Sequence, residues 1–269
     1  MRALLKTGFT LLLLAFLLIG ISYSMLRAQV ASGALAAGNR LAASESRPLD
    51  RSPGTVELSG PFNLVLRQGP APALEVRGEQ RVLANVDTTI DGDTLRIAPR
   101  GILLRHRQPI EVRVTLPALS TLRINGSGEH TVSGFSGERL ALSMDGTGSM
   151  RFNGRYRIVH VGVHGSGDLE LTGGNCEAMN AELTGSGSLT LVGAAQSLNA
   201  GVQGSGQLDA RHLRAEVATL THQGSGSSSI YARRQAEVTL TGSGDIAVYG
   251  NPDRRTVTRS GSGSVTFHD

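Results

Sequence analysis

Leu183-Thr184-Gly185-Ser186-Gly187-Ser188-Leu189-Thr190-Leu191 and, nineteen residues later, Val202-Gln203-Gly204-Ser205-Gly206-Gln207-Leu208-Asp209-Ala210 are two copies of one pattern. Outward from this pair, Gly-Ser-Gly or Gly-Thr-Gly recurs eight times. The first glycines are Gly126, Gly146, Gly165, Gly185, Gly204, Gly224, Gly242 and Gly261; the second are Gly128, Gly148, Gly167, Gly187, Gly206, Gly226, Gly244 and Gly263. Successive triplets stand 18 to 20 residues apart. A period of that size, held over half the chain, marks a solenoid whose repeats stack as coils.

Aligned on the first glycine, the repeats form columns. Four residues ahead stand Leu122, Leu142, Val161, Ala181, Ala200, Leu220, Val238 and Val257; two ahead stand Ile124, Met144, Val163, Leu183, Val202, His222, Leu240 and Arg259. Beyond the triplet, one apolar column runs His130, Met150, Leu169, Leu189, Leu208, Ser228, Ile246, Val265, and another Val132, Phe152, Leu171, Leu191, Ala210, Ile230, Val248, Phe267. Polar residues fill the positions between. Alternation with period two is the mark of a half-buried strand, so each repeat reads as strand, glycine corner, strand and return turn, with about four apolar side chains inward per coil. All sixteen triplet glycines are expected to be structural corners, because a sharp corner commonly needs positive φ and identical corners must stack directly.

No helical crossover fits within such a repeat. The expected fold is all-β: a single-chain parallel β-helix of ~19-residue coils, right-handed by the rule for parallel connections, preceded by a hydrophobic helix at the N-terminus. Eight such coils at roughly 4.8 Å spacing would make a rod of about 38 Å.

Arg2 and Lys6 precede an uncharged run from Thr7 to Leu26, which Arg27 closes. This predicts a signal peptide or signal anchor over 1–28, membrane attachment if it stays uncleaved, and an exported remainder. Residues 29–54, rich in Ala, Ser, Gly and Arg, read as a flexible tether. From 55 to 119 the alternation resumes without triplets (Val56, Leu58; Phe62, Leu64, Leu66; Leu74, Val76; Ile110, Val112, Val114, Leu116), and Asp91-Gly92-Asp93 signals a hairpin. This section is expected to be a β cap or irregular first coils, and 120–269 the repeat β-helix.

Of the formal net charge of +4, Arg2, Lys6 and Arg27 carry +3, so the remainder is close to neutral. No nucleic-acid partner is expected; the basic stretch from Arg100 to Arg107 lacks interleaved aromatic residues and reads as a solvated loop. Cys176 is the single cysteine, so no intrachain disulfide forms, and its place in a return turn without a partner base predicts a packed side chain.

Leu116-Pro117-Ala118-Leu119 followed by Leu122-Arg123-Ile124-Asn125-Gly126-Ser127-Gly128, the later triplets, and Val248-Tyr249-Gly250-Asn251-Pro252 resemble the domain named after its Gly-Ile-Asn signature, the auto-transporter adhesin head domain. The signature here reads Arg-Ile-Asn. The resemblance spans Val56 to the C-terminus and implies an exported bacterial β-helix of undefined biochemical function, with no catalytic residues to carry over.

Polysaccharide lyases and glycosidases also use β-helices, and such an enzyme is the alternative reading. It asks for clustered carboxylates, whereas Glu129, Asp168 and Asp245 lie at least one coil apart and no compact pair recurs. His160 and His164 lie about 13 Å apart along an extended strand, too far to share a metal, and only two triplets are followed by Asp, too few for calcium-binding repeats. A nucleophilic serine would occur once, not in eight copies. Neither cofactor nor metal is expected. What remains is a non-enzymatic binding, adhesion or scaffold module of the cell envelope with a protein or glycan partner. Tyr231 and Tyr249, one coil apart in one column, are the best candidate stacking patch, although ordinary surface tyrosines are the simpler reading.

Overall fold

The computed structural model describes residues 41–101 and 109–269. The expected export segment, the tether up to residue 40 and residues 102–108 of the basic stretch lie outside them. Among the described residues no helix is long and apolar enough to cross a membrane.

The repeat region is a parallel β-solenoid. Its strands are β7 (Thr121–Ser127), β8 (Glu129–Gly146), β9 (Ser149–Gly165), β10 (Asp168–Gly185), β11 (Ser188–Gly204), β12 (Gln207–Gly224), β13 (Ser227–Gly242), β14 (Asp245–Tyr249), β15 (Arg254–Ser260) and β16 (Ser264–His268). Each pairs in parallel with its copy one coil away, in the register the columns predict: Leu169 opposite Leu189, Leu183 opposite Val202, Gly185 opposite Gly204. Eight stacked corners bound about seven turns, so the count of eight coils is one too many. The expectation of four inward side chains per coil is also too low. One coil buries Cys176, Met179, Ala181, Leu183, Leu189 and Leu191, because two further columns point inward, one six residues ahead of the corner (Met179 in this coil) and one in the return turn (Cys176). The buried residues of successive return turns are Phe135, Tyr156, Cys176, Ala195, Ala215 and Ala232, the last four in register, so the core thins along the stack.

The section before the triplets is part of the same solenoid. β2 (Thr55–Gln68) is a full first coil, parallel to both β7 and β8. Beneath it lies a split coil: β5 (Thr94–Pro99) pairs with its first half and β6 (Ile110–Leu116) with its second. Two antiparallel pairings close this end. β4 (Val86–Asp91) forms the Asp91-Gly92-Asp93 hairpin with β5, and β3 (Ala73–Glu79) lies against β6. The short helix α1 (Gln80–Leu83) buries Val82 and Leu83. β1 (Ala42–Arg47) pairs antiparallel with β3, which corrects the tether boundary. Arg47 fixes it by donating to the carbonyl oxygens of Leu83 and Val86 and to the Thr88 hydroxyl. The flexible reading failed there because a polar edge strand has no apolar column to betray it; backbone pairing and the polar side chains of Ser44 and Arg47 hold it.

Candidate functional site

The two glycines of each triplet are needed for different reasons. The first always has positive φ: Gly204, for example, has φ +118°, and a Cβ there would lie 2.4 Å from the carbonyl oxygen of Gly185 in the coil below. Positive φ does not extend to the second glycine, which corrects that part of the corner expectation. Only Gly128 among the second glycines has it; Gly148, Gly167, Gly187, Gly206, Gly226, Gly244 and Gly263 have φ open to any residue. What excludes a side chain from them is the neighbouring coil. A Cβ would lie 2.8 Å from Gly128 O at Gly148, 2.1 Å from Gly167 O at Gly187, 2.0 Å from Gly206 O at Gly226 and 2.5 Å from Gly226 O at Gly244. The chain bends at the first glycine and has returned to ordinary geometry by the second, which remains glycine because the backbones of adjacent coils touch there. At both positions the crowding oxygens accept the ladder bonds that cross the corner, from Ser205 N to Gly185 O at 2.9 Å and from Ser188 N to Gly167 O at 3.1 Å.

The hydroxyls between the glycines face solvent and touch their copies, Ser205 Oγ to Ser225 Oγ at 3.4 Å and Ser262 Oγ to Ser243 Oγ at 3.2 Å. One further corner escaped the sequence reading. Gly60, with φ +108°, stacks under Gly126, and Pro61 and Phe62 follow it in place of Ser-Gly. Only its register relative to the triplet at Gly126 could have revealed it.

The interior holds three polar side chains in the apolar columns. His222 is 0% and Ser228 1% exposed, with Nδ1 and Oγ 2.8 Å apart. A nucleophile and base at that distance are enclosed where no substrate reaches them. His130 is 2% exposed, its ring nitrogens lack any partner among the described residues, and burial pushes its pKa down to about 4. Burial lowers His222 too. Cys176 is 6% exposed, donates its thiol to the Ala194 carbonyl oxygen at 3.3 Å, and has its pKa raised by burial, the opposite of a reactive thiolate. The Tyr156 hydroxyl donates to Leu119 O at 2.7 Å, and burial pushes it up to about 12.

The outer surface is electrically divided. The return segments (133–139, 153–158, 172–178, 192–197, 211–217, 231–235 and 249–254) stack along one edge of the solenoid. They carry Arg139, Arg155, Arg157, Arg211, Arg214, Arg233, Arg234 and Arg254, eight of the twelve arginines after residue 120, against four acids: Glu138, Glu177, Glu216 and Asp253. The other faces of this region hold four arginines and nine acids. Arg157 bridges Glu138 and Glu177, each at 2.6 Å, and the hydrogen bonds it donates to these carboxylates raise it above the usual arginine range. Glu216 takes Arg233 at 3.4 Å and Arg234 at 3.2 Å. Arg155 and Arg214 form no ion pair among the described residues. Between them the edge sinks into an open groove of about 980 Å³, floored by Gly174, Cys176, Ala194 and Ala195, flanked by Asn175 and Gln196, and also lined by Arg157, Glu177 and Glu216. It opens where the return column falls from Tyr156 to Cys176 and then to alanine.

This geometry has relatives. The family model described as "Putative auto-transporter adhesin, head GIN domain" matches residues 52–252, well over half the chain. The chain belongs to the head GIN domain family. Among solved structures, this head GIN chain is similar to a putative adhesin from Parabacteroides distasonis ATCC 8503 (17% identity, TM-score 0.79, 86% of this chain and 98% of that one). It is similar to a putative adhesin from Parabacteroides merdae ATCC 43184 (17%, TM-score 0.77, 86% and 98%). A third, a putative lipid binding protein from P. distasonis ATCC 8503, has 22% identity and TM-score 0.75 over 84% of this chain and 97% of that one. At such identities the likeness is one of fold. No curated protein matches the chain.

On this head GIN domain the remaining sequence candidates fall apart in space. Tyr231 and Tyr249 do share a column, which His268 extends, but their rings are taken: Tyr249 stacks on His268 at 4.9 Å, and the Tyr231 ring lies over Gly250, 2.8 Å from where a Cβ would stand. His160 and His164 are exposed on another face, His164 Nδ1 being 3.2 Å from Asp145. Among the described residues no three His, Cys, Asp or Glu side chains are grouped to hold a metal ion. Asp168 accepts from the Ser188 hydroxyl and Glu170 lies 3.7 Å from Arg151. In the ladder, Asp168, Glu182, Asp209, Glu237 and Asp245 face only Ser, Thr or Gly on the adjoining coils, never another acid.

Proposed function

We propose that this head GIN domain is a non-enzymatic, adhesin-like binding module of the bacterial envelope that offers its lateral surface to a partner. The dispersal of the outward carboxylates carries this reading. General acid–base chemistry on a glycan needs two carboxyl groups aimed at one bond, about 5–10 Å apart across the substrate, whereas here the strand carboxylates stand among hydroxyls, glycines or arginines, and Glu138 and Glu177, which do approach each other, are both held by Arg157 between them. Membership of the head GIN domain family, and a fold shared with the two putative adhesins of Parabacteroides, support it further. The uncharged run from Thr7 to Leu26 supports export, with attachment to the membrane if it stays uncleaved.

The test is to incubate the purified full chain with isolated envelope fractions and a polysaccharide panel. Retention on the fractions without release of reducing or unsaturated ends is the expected result. Turnover that vanishes when one carboxylate, such as Asp168 or Glu182, is neutralised would overturn it.

A further inference from the structure

The return edge points to the class of partner. We propose that the groove between Arg155 and Arg214 binds an acidic glycan, a linear polysaccharide bearing carboxylate, sulfate or phosphate groups, laid along the axis of the stack. The proposal rests on the reading of the domain as a binding module and adds what it binds.

Three features of the edge lead there. First, its charge opposes that of the other faces, so an anionic chain is drawn to this edge and repelled elsewhere. Second, stacking aligns the two cations. Arg214 pairs in register with Ala194, Ala194 with Asn175, and the stem of Arg155 lies 3.1 Å from where a Gly174 Cβ would stand. Three coil steps, roughly 14 Å at the strand spacing, separate the arginines, and the positions in register between them are Asn175 and Ala194. Each guanidinium is free of carboxylate partners among the described residues and can grip an oxyanion with two parallel hydrogen bonds. Of the other charged groups lining the groove, Glu177 is held by Arg157 and Glu216 by Arg233 and Arg234, which leaves Arg155 and Arg214 as the unpaired charges at its two ends. Third, the floor fits a hydroxylated ligand rather than an acyl chain. Asn175 and Gln196 offer amides to sugar hydroxyls, and the small side chain of Ala194 leaves room for a ring. The apolar interior below is filled, with Leu171 and Leu191 buried, so an acyl chain has nowhere to enter. A flat bilayer would touch the arginine ridges and miss the groove.

The experiment measures binding of the full chain to oligogalacturonate and to dextran sulfate, with neutral dextran and phosphatidylglycerol vesicles as the other arms. The double variant Arg155→Gln, Arg214→Gln should weaken binding to both acidic probes at least tenfold and flatten its salt dependence. The control Arg123→Gln, Arg151→Gln, which removes the same charge from other faces, should change it less than twofold. Ala194→Gln, which fills the groove at constant charge, should weaken it about fivefold. Equal losses in the two charge variants, no loss with Ala194→Gln, or equal binding of neutral dextran would each overturn the groove. Capture of the vesicles through Arg155 and Arg214, without capture of the glycans, would overturn the glycan and assign the edge to a membrane instead. Silence on every probe while envelope retention persists would overturn this inference and leave the binding module standing; loss of retention as well would remove both.

Discussion

Acid should loosen this solenoid through a single buried ring. His130 occupies an inward column between Leu64 and Met150, is almost wholly enclosed, and has both ring nitrogens unpartnered among the described residues. Its pKa falls from 6.5 to about 4 because burial penalises the imidazolium. The sign follows directly. Above about pH 6.5 the ring is neutral in the folded and unfolded chains and contributes no pH dependence. Between about 6.5 and 4 the unfolded chain binds a proton that the folded chain refuses, so stability falls with pH; below about 4 both are protonated and the loss is complete. At 1.36 kcal/mol per pKa unit, the full loss is about 3 kcal/mol, of which about 2.5 has occurred by pH 4.5. His222 adds to it in the same direction. The comparison that isolates His130 is His130→Leu, since leucine is the residue this column uses at Leu169, Leu189 and Leu208. Urea unfolding of both proteins at about pH 7.5 and pH 4.5 should show the variant gaining about 2.5 kcal/mol on the parent between the two. Stability curves that stay parallel within about 0.5 kcal/mol would refute the buried neutral ring.

Three further outcomes follow from the stack. Gly204→Val should cost about 2 kcal/mol or more, from strained φ and the backbone contact, whereas Gly201→Ala, with open space and ordinary φ, should be neutral or slightly stabilising; equal thermal shifts in the two would contradict the corner assignment. Excision of Gly185 through Gln203 should leave a folded, soluble domain, because the coils on either side present matching columns; loss of the β signal in circular dichroism would count against modular stacking. At the C-terminal end, Arg255 lies over the Phe267 ring at 4.7 Å and Arg259 donates to Gly263 O, while Val257 is 43% exposed. Replacing both arginines with Val should therefore promote end-to-end association by light scattering, and a monodisperse double variant would show that these charges do not guard the edge.

The sequence by itself determined what depends on period and parity. A 19-residue spacing fixes which residues share a column, and alternation fixes which columns point inward, so the parallel register, the eight triplet corners and even the inward placement of His130 and His222 can be read from the one-dimensional pattern. The pattern could not divide the labour within a triplet, because strained φ at Gly146 and backbone contact at Gly148 both write the same letter. Also hidden were features without a column to announce them: β1, held by backbone pairing; the corner at Gly60; and the inward column of the return turns, whose segments vary in length and shift register. Only the tertiary structure decided the surface. Summed along the chain after Arg27 the charge is nearly neutral, because arginines and acids alternate over short distances. Coiling regroups them, placing residues about one period apart within one coil step of each other. Arg155 and Arg214 therefore end on one edge with an open groove between them, while most of the acids turn to the other faces. Electrostatic potential sums over distance in space rather than along the sequence, and in a solenoid the two orders differ most.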